Sequence, residues 1–73
     1  MDKELKIDTE YITLGQFLKM IDLIQSGGMA KRFLEENEVF VNGQLELRRG
    51  RKLRNGDQVE IKGVDSFIII HDA

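Results

Sequence analysis

Positively charged side chains are concentrated in one short stretch of this chain. Arg48, Arg49, Arg51, Lys52 and Arg54 are five of the eleven Lys and Arg residues, although the formal net charge of the protein is −2. Four of these five are Arg, whose planar guanidinium can bind two phosphate oxygens and can also stack on a base. The stretch therefore predicts a surface that binds a polyanion.

The charge is also asymmetric along the sequence. Residues 29–54 contain seven basic and four acidic residues, whereas the remainder contains four basic and nine acidic residues. Lys31 and Arg32 contribute two of the seven. A protein that gathers its positive charge on one side and stays acidic elsewhere can hold a phosphate backbone there without binding anions over its whole surface. Nucleic acid is the expected partner.

Each basic group also has a purely structural interpretation. The spacings from Lys31 to Glu35 and from Arg32 to Glu36 predict surface ion pairs on a helix. The charges of residues 48–54 could simply protect a strand edge from aggregation. The functional interpretation is a phosphate site, made by two cations and backbone N–H groups at one helix end beside the arginines.

Catalytic and metal-binding patterns are not recognisable. His71 is the only histidine, there is no cysteine, and the carboxylates lack metal-ligand spacing such as that of an EF-hand loop. We expect no enzyme activity, no cofactor and no metal. Tyr11 or Phe40 could stack on a base, but Phe40 alternates with apolar neighbours and is better placed in the core. So few aromatic residues favour structured RNA read by its backbone shape.

Two short helices are predicted in the first half of the chain. Thr13 and Gln16 have capping-box spacing, and apolar residues then recur at helical spacing from about Leu14 to Gln25. The sequence Ser26-Gly27-Gly28 should end this helix, because glycine adopts the left-handed conformation without a side-chain cost. A second helix should follow from about Met29 to Glu36, with its apolar residues on one side.

Alternating apolar residues predict strands after the helices. Val39–Val41 and Gln44–Leu47 flank Asn42-Gly43, the dipeptide that a type I′ hairpin turn prefers. A further strand, Gln58–Lys62, follows the turn dipeptide Asn55-Gly56.

The last apolar run, Phe67–Ile70, needs a partner strand, either Leu5 to Ile7 or Tyr11-Ile12, which would bring the two ends of the chain together. The pattern predicts an α+β fold in which two short helices pack on a small, mostly antiparallel sheet, with residues 1–73 as one domain. The predicted core consists of Leu14, Phe17, Leu18, Ile21, Phe33, Leu34, Val41, Val59 and Ile61.

This order of elements resembles the S-four domain, the RNA-binding fold, or alpha-L motif, named after small-subunit ribosomal protein S-four. The resemblance covers about residues 13–62. Family members often have a basic residue in place of Gly27 and a glycine in place of Asn37, and Asn tolerates the left-handed conformation that this glycine would adopt. The residues that carry the resemblance are Ala30, Phe33, Leu34, Val39, Val41, Asn42, Gly43, Leu53, Gly56, Asp57, Val59 and Ile61.

The resemblance implies that the second helix and the loop after the hairpin bind structured RNA of the ribosomal RNA or tRNA class. Ribosomal RNA or a ribosomal particle is one partner that this allows, but the resemblance does not reveal which RNA is bound. The chain is most similar to the small stand-alone members, the YaaA-type proteins of Gram-positive bacteria. We expect a cytoplasmic monomer. No membrane association is expected, because the longest apolar run is too short to span a bilayer. The RNA-binding positions would be Lys31, Arg32, Arg48, Arg49, Arg51, Lys52 and Arg54.

Two other classes of protein share part of the pattern. Ubiquitin-like β-grasp sulfur carriers also contain a V-N-G hairpin and a later G-D-x-V strand, but their chemistry needs a C-terminal Gly-Gly, and this sequence ends in Ile70-His71-Asp72-Ala73. A protein-interaction module that uses the acidic surface is the third possibility.

Overall fold

The computed structural model describes residues 2–72, in which seven strands and two helices alternate with short turns. No helix in this part of the chain is long and apolar enough to cross a membrane. A 3-10 turn, Gly27–Met29, lies between the helices. The elements are β1 (Lys3–Lys6), β2 (Tyr11–Thr13), α1 (Leu14–Met20), α2 (Ala30–Glu36), β3 (Val39–Val41), β4 (Gln44–Leu45), β5 (Lys52–Arg54), β6 (Gln58–Ile61) and β7 (Asp65–Ile70).

Five of the strands form one sheet, in the order β1-β7-β6-β3-β4. Only the β1–β7 pair is parallel, and it joins Lys3 to Phe67 and Lys6 to Ile70 in register. The last strand therefore has two partners: β1, which overlaps the first of the two predicted alternatives, and β6, which was not predicted as a partner. Strands β2 and β5 form a separate antiparallel ribbon. The α+β class and the mostly antiparallel sheet are confirmed.

The hydrophobic core lies between the helices and one face of the sheet. Phe17 of α1 meets Phe67 of β7 edge to face, with ring centroids 5.2 Å apart, a preferred geometry for aromatic pairs. Seven of the nine predicted core residues are buried, whereas Ile21 and Phe33 are only partly buried against the cluster. Phe40 is also half-buried, because it points away from the face that carries Val39 and Val41.

The predicted end of the first helix is wrong. Helix α1 stops at Met20, because Asp22 adopts the left-handed conformation with a φ of 63°. The Asp22 N–H donates to the Lys19 carbonyl and the Leu23 N–H donates to the Leu18 carbonyl, which is the hydrogen-bond pattern of a Schellman cap. The glycine pair therefore does not cap α1 and instead begins the 3-10 turn before α2.

The predicted hairpin forms, with smaller differences at its flanks. Asn42 and Gly43 have φ values of 52° and 83°, as a type I′ turn requires. The return strand ends at Leu45 rather than at Leu47. Asn37 ends α2 as expected, but with an extended φ of −133° rather than a left-handed one. Its side-chain amide donates to the Phe33 carbonyl.

Candidate nucleic-acid interface

Residues Arg48–Arg54, here called the basic segment, are attached to the first turn of α1. The Gly15 N–H donates to the Arg49 carbonyl at 2.9 Å, and the Leu14 N–H donates to the Arg51 carbonyl at 2.8 Å. The predicted loop is thus only partly a loop, because Lys52–Arg54 is a strand that pairs with β2. The backbone that carries these cations is therefore held by hydrogen bonds to α1 and by pairing with β2.

Gly15 is the point at which the basic segment meets the start of α2. A Cβ atom built on Gly15 would lie 3.5 Å from the Ala30 Cβ and 3.5 Å from the Arg49 carbonyl oxygen. The Arg49 guanidinium also donates to the Gly27 carbonyl at 3.4 Å, just before α2. Because Lys31 and Arg32 follow Ala30 directly, the two predicted groups of cations belong to neighbouring parts of the structure.

A buried carboxylate organises two of the arginines. The Glu46 side chain is only 9% exposed, and it accepts hydrogen bonds from the Arg48 backbone N–H and Nε at 3.1 Å and from Arg51 Nη1 at 3.3 Å. These bonds, chiefly from the Arg48 side chain, hold the pKa of Glu46 below its ordinary value although burial opposes the shift. Arg48 and Arg51 are therefore positioned and partly neutralised by Glu46.

The other end of the basic segment surrounds an aromatic ring. Lys52 Nζ lies 5.0 Å and Arg54 Cζ 5.3 Å from the centroid of the Tyr11 ring. Tyr11 and Arg54 are direct cross-strand partners. The Arg54 backbone N–H donates to Asp57 Oδ2 at 2.8 Å, so the turn after β5 fixes the backbone of this arginine.

Two backbone N–H groups at the predicted phosphate site on α2 already have partners. The Met29 and Ala30 N–H groups are occupied, since they donate to the Ser26 and Gly27 carbonyls. Of the two predicted ion pairs, Arg32 to Glu36 forms at 3.5 Å. Between residues 2 and 72, Lys31 makes no ion pair. Lys31 is therefore available to an external anion.

A shallow groove of about 830 Å³ runs along the basic segment. Four of the five cations of the segment line it, and Asp57 is the acidic residue at its edge. Guanidinium and ammonium groups along an open groove can contact successive phosphate oxygens of a nucleic-acid backbone. The lining residues are Arg48, Gly50, Arg51, Lys52, Arg54, Asn55 and Asp57.

Sequence reasoning named Asn42 and Asp57 only as separate residues and missed the contact between them that holds this surface in place. Asn42 donates to Asp57 Oδ1 at 3.0 Å, and its own Oδ1 accepts from the Gln58 N–H at 3.0 Å. The V-N-G turn and the G-D turn are therefore joined by these hydrogen bonds and do not form independently. The only sequence signal for Glu46 was a single acidic residue beside the basic segment, at a position where β4 was expected to continue.

Comparison with known proteins agrees with this architecture. A family model described as "S4 domain" matches residues 5–69. A protein of Bacillus subtilis (strain 168) named "Probable ribosome maturation protein RlbA" is 61% identical over 71 residues, which cover 97% of this chain and 100% of the relative. The family match favours the resemblance over the β-grasp alternative. The chain is therefore a member of the S4 domain family of RNA-binding domains, as the order of its sequence motifs indicated.

Proposed function

We propose that this protein binds structured RNA of the ribosomal RNA or tRNA class through the basic segment and the first turn of α2. The observation that carries the proposal is the meeting of these two cationic elements across Gly15, with Arg49 on one side and Ala30 followed by Lys31 on the other. Two structured elements that bring cations to neighbouring parts of the surface fit a folded RNA backbone better than a flexible single strand of RNA.

The cations of the site differ in their availability. Arg48 and Arg51 both pair with Glu46, so their positive charge is partly neutralised. They would orient the RNA and contribute less electrostatic attraction to it. Arg49, Lys52 and Arg54 make no ion pair in the part of the chain that the structure describes, and Lys31 joins them. Four to six phosphate contacts would give a slope of log affinity on log salt of roughly −3 to −5.

The relative named as a ribosome maturation protein extends the proposal to the partner. We infer that the RNA is ribosomal RNA within a ribosomal particle that is being assembled, and that the protein acts there by binding rather than by catalysis, in the cytoplasm. The similarity extends over 97% of this chain, so the basic segment and α2 both lie within it. Crosslinking in cells followed by sequencing of the bound RNA identifies the target directly.

The binding experiment compares two double variants that change the net charge equally. Lys31→Glu with Arg49→Glu places two negative charges on the proposed face. Lys3→Glu with Lys62→Glu is the matched control, because these lysines are exposed and lie at the other end of the sheet, where they pair with Asp65 and Glu38. Ion pairs at the surface contribute only about 0 to 1 kcal/mol, so both variants should remain folded.

Binding is measured by fluorescence anisotropy with labelled ribosomal RNA fragments and with bulk tRNA, at several salt concentrations. We expect the face variant to lose affinity for RNA and to have a shallower salt slope, while the control binds nearly as the wild type does. Equal loss in both variants would mean that only net charge matters. Unchanged binding in the folded face variant would refute the proposed interface.

A further inference from the structure

The ribbon formed by β2 and β5 exposes one aromatic ring between two cations. Ile12 and Leu53 point into the core, and the alternate residues of both strands therefore point outward. Tyr11 is 39% exposed, with Lys52 and Arg54 within 5.3 Å of its ring centroid. An aromatic face bordered by positive charge has the two chemical features of a nucleotide site, a surface for the base and cations for its phosphates.

The backbone on both sides of the ring is held in place. The ribbon is anchored through its buried residues, and the Arg54 backbone N–H donates to Asp57. Lys52 and Arg54 also line the groove of the basic segment. The Tyr11 ring is therefore continuous with the proposed RNA-binding face and is not an isolated surface residue.

A second groove, of about 1010 Å³, opens on the other side of the ring. Its walls include Tyr11, Thr13, Gln16, Lys19 and Met20, together with the acidic residues Asp8 and Glu10. The carboxylates exclude phosphate from that part of the groove, so only an uncharged base fits on this side of the ring. Within residues 2–72 the Gln16 Nε2 group makes no hydrogen bond, because the capping box uses only the side-chain oxygen and the backbone N–H of this residue. A flat group beside the ring would find apolar surface, a free amide donor and a further cation.

We propose that Tyr11 is the stacking site for one unpaired nucleobase, with Lys52 and Arg54 on the adjacent phosphates. The inference rests on the proposed function and specifies its RNA: a paired stem with a single unpaired nucleotide beside it. Among residues 2–72, Tyr11 is the only aromatic residue that lines either groove, so one base is bound rather than a run of stacked bases. The cations that now cover the ring are exposed and can move to phosphate oxygens when RNA binds.

The intrinsic fluorescence of Tyr11 reports directly on stacking against its ring. The protein contains one tyrosine and no tryptophan, so its intrinsic emission above the phenylalanine range comes from this ring. The probes are three RNA hairpins with the same stem: one with a single bulged nucleotide, one with an abasic site at that position, and one fully paired. We expect the bulged hairpin to quench the emission most strongly and to bind most tightly.

Variants separate stacking from structure. Tyr11→Phe keeps the ring and should retain the preference for the bulged hairpin. Tyr11→Leu should weaken binding of the bulged hairpin by about 5- to 150-fold, the range for loss of one stacked base, and should leave the fully paired hairpin almost unaffected. Phe40→Leu, the same change at a half-buried ring on the sheet, is the control and should leave the preference intact. Thermal unfolding of each variant verifies that it is folded.

The outcomes distinguish this inference from the proposed function. Equal quenching by all three hairpins, or a folded Tyr11→Leu variant that still prefers the bulged hairpin, would overturn the stacking site and leave RNA binding by the basic face in place. If the Lys31→Glu, Arg49→Glu variant also binds every hairpin as the wild type does, the proposed function fails and the stacking site fails with it.

Discussion

Replacement of Glu46 by Gln tests whether one buried carboxylate organises the basic segment. The change keeps the size and one carbonyl oxygen of the side chain but removes the negative charge and turns one acceptor into a donor that faces an arginine. The bonds from the exposed Arg48 guanidinium contribute little. The remaining oxygen of Gln can keep the bond to the Arg48 N–H, but the bond to the more buried Arg51 is lost. One such bond contributes about 0.5 to 1.5 kcal/mol, so Gln should cost about 0.5 to 1.5 kcal/mol.

The lowered pKa of Glu46 predicts how the stability difference between wild type and Glu46→Gln changes with pH. The pKa of Glu46 is lower in the folded protein than its ordinary value of 4.5. A carboxyl with a lowered pKa stabilises the fold above its unfolded-state pKa, and this contribution disappears as the pH falls through the folded-state pKa. The difference between wild type and Glu46→Gln should therefore be full at pH 7 and should shrink as the pH falls below about 4.5.

Urea unfolding from pH 7 down to about pH 3 measures this difference, and thermal unfolding at pH 7 should give a midpoint lower by about 4 to 8 °C per kcal/mol. Glu60→Gln is the matched control, because Glu60 is exposed and makes no ion pair between residues 2 and 72. A Glu46→Gln variant as stable as the control at pH 7, or a deficit that persists unchanged in acid, would show that the reasoning about Glu46 is wrong.

Three further changes probe the contacts around the site. Gly15→Ala should stabilise the protein by up to about 1 kcal/mol in urea unfolding, since a Cβ there makes only ordinary contacts, whereas Gly15→Leu should separate α2 from Arg49 and weaken RNA binding. Asn42→Ala should cost about 1 to 2 kcal/mol, because two hydrogen bonds to the second turn are lost; unchanged stability would mean that the turns are independent. Lys31→Gln should leave stability level while reducing RNA affinity and the salt slope by about 0.7 to 0.9, and a large loss of stability with unchanged binding would make Lys31 structural.

The elements with a strong local pattern could be predicted from the sequence. The capping box of Thr13 and Gln16 forms as expected, and so does the Asn42-Gly43 turn, because both depend on residues close together in the chain. The end of α1 could not be predicted in the same way. The glycine pair was the stronger signal, but Asp22, which lies earlier in the chain, adopts the left-handed conformation. Asp favours this conformation only slightly more than other non-glycine residues do.

The arrangement of the site depends on contacts between distant residues. The basic residues could be listed from the sequence, but the difference between Arg49 and its neighbours could not, because it requires knowledge that Glu46 turns inward. The pairing of Lys52–Arg54 with β2 was missed for a similar reason. Three residues with two exposed cations carry almost no strand signal, and their partner lies about 40 positions earlier in the chain.

The parallel pairing of β1 with β7 also has a consequence for how the protein folds. The earliest strand in the sequence forms the edge of the sheet only against the latest one, so during synthesis β1 stays without a partner until β7 has emerged from the ribosome. Contacts between such distant segments form slowly because the intervening chain must first become ordered. The apolar face that β7 completes is therefore exposed in every shorter nascent chain, and premature termination just before β7 should yield an aggregating product rather than a smaller domain.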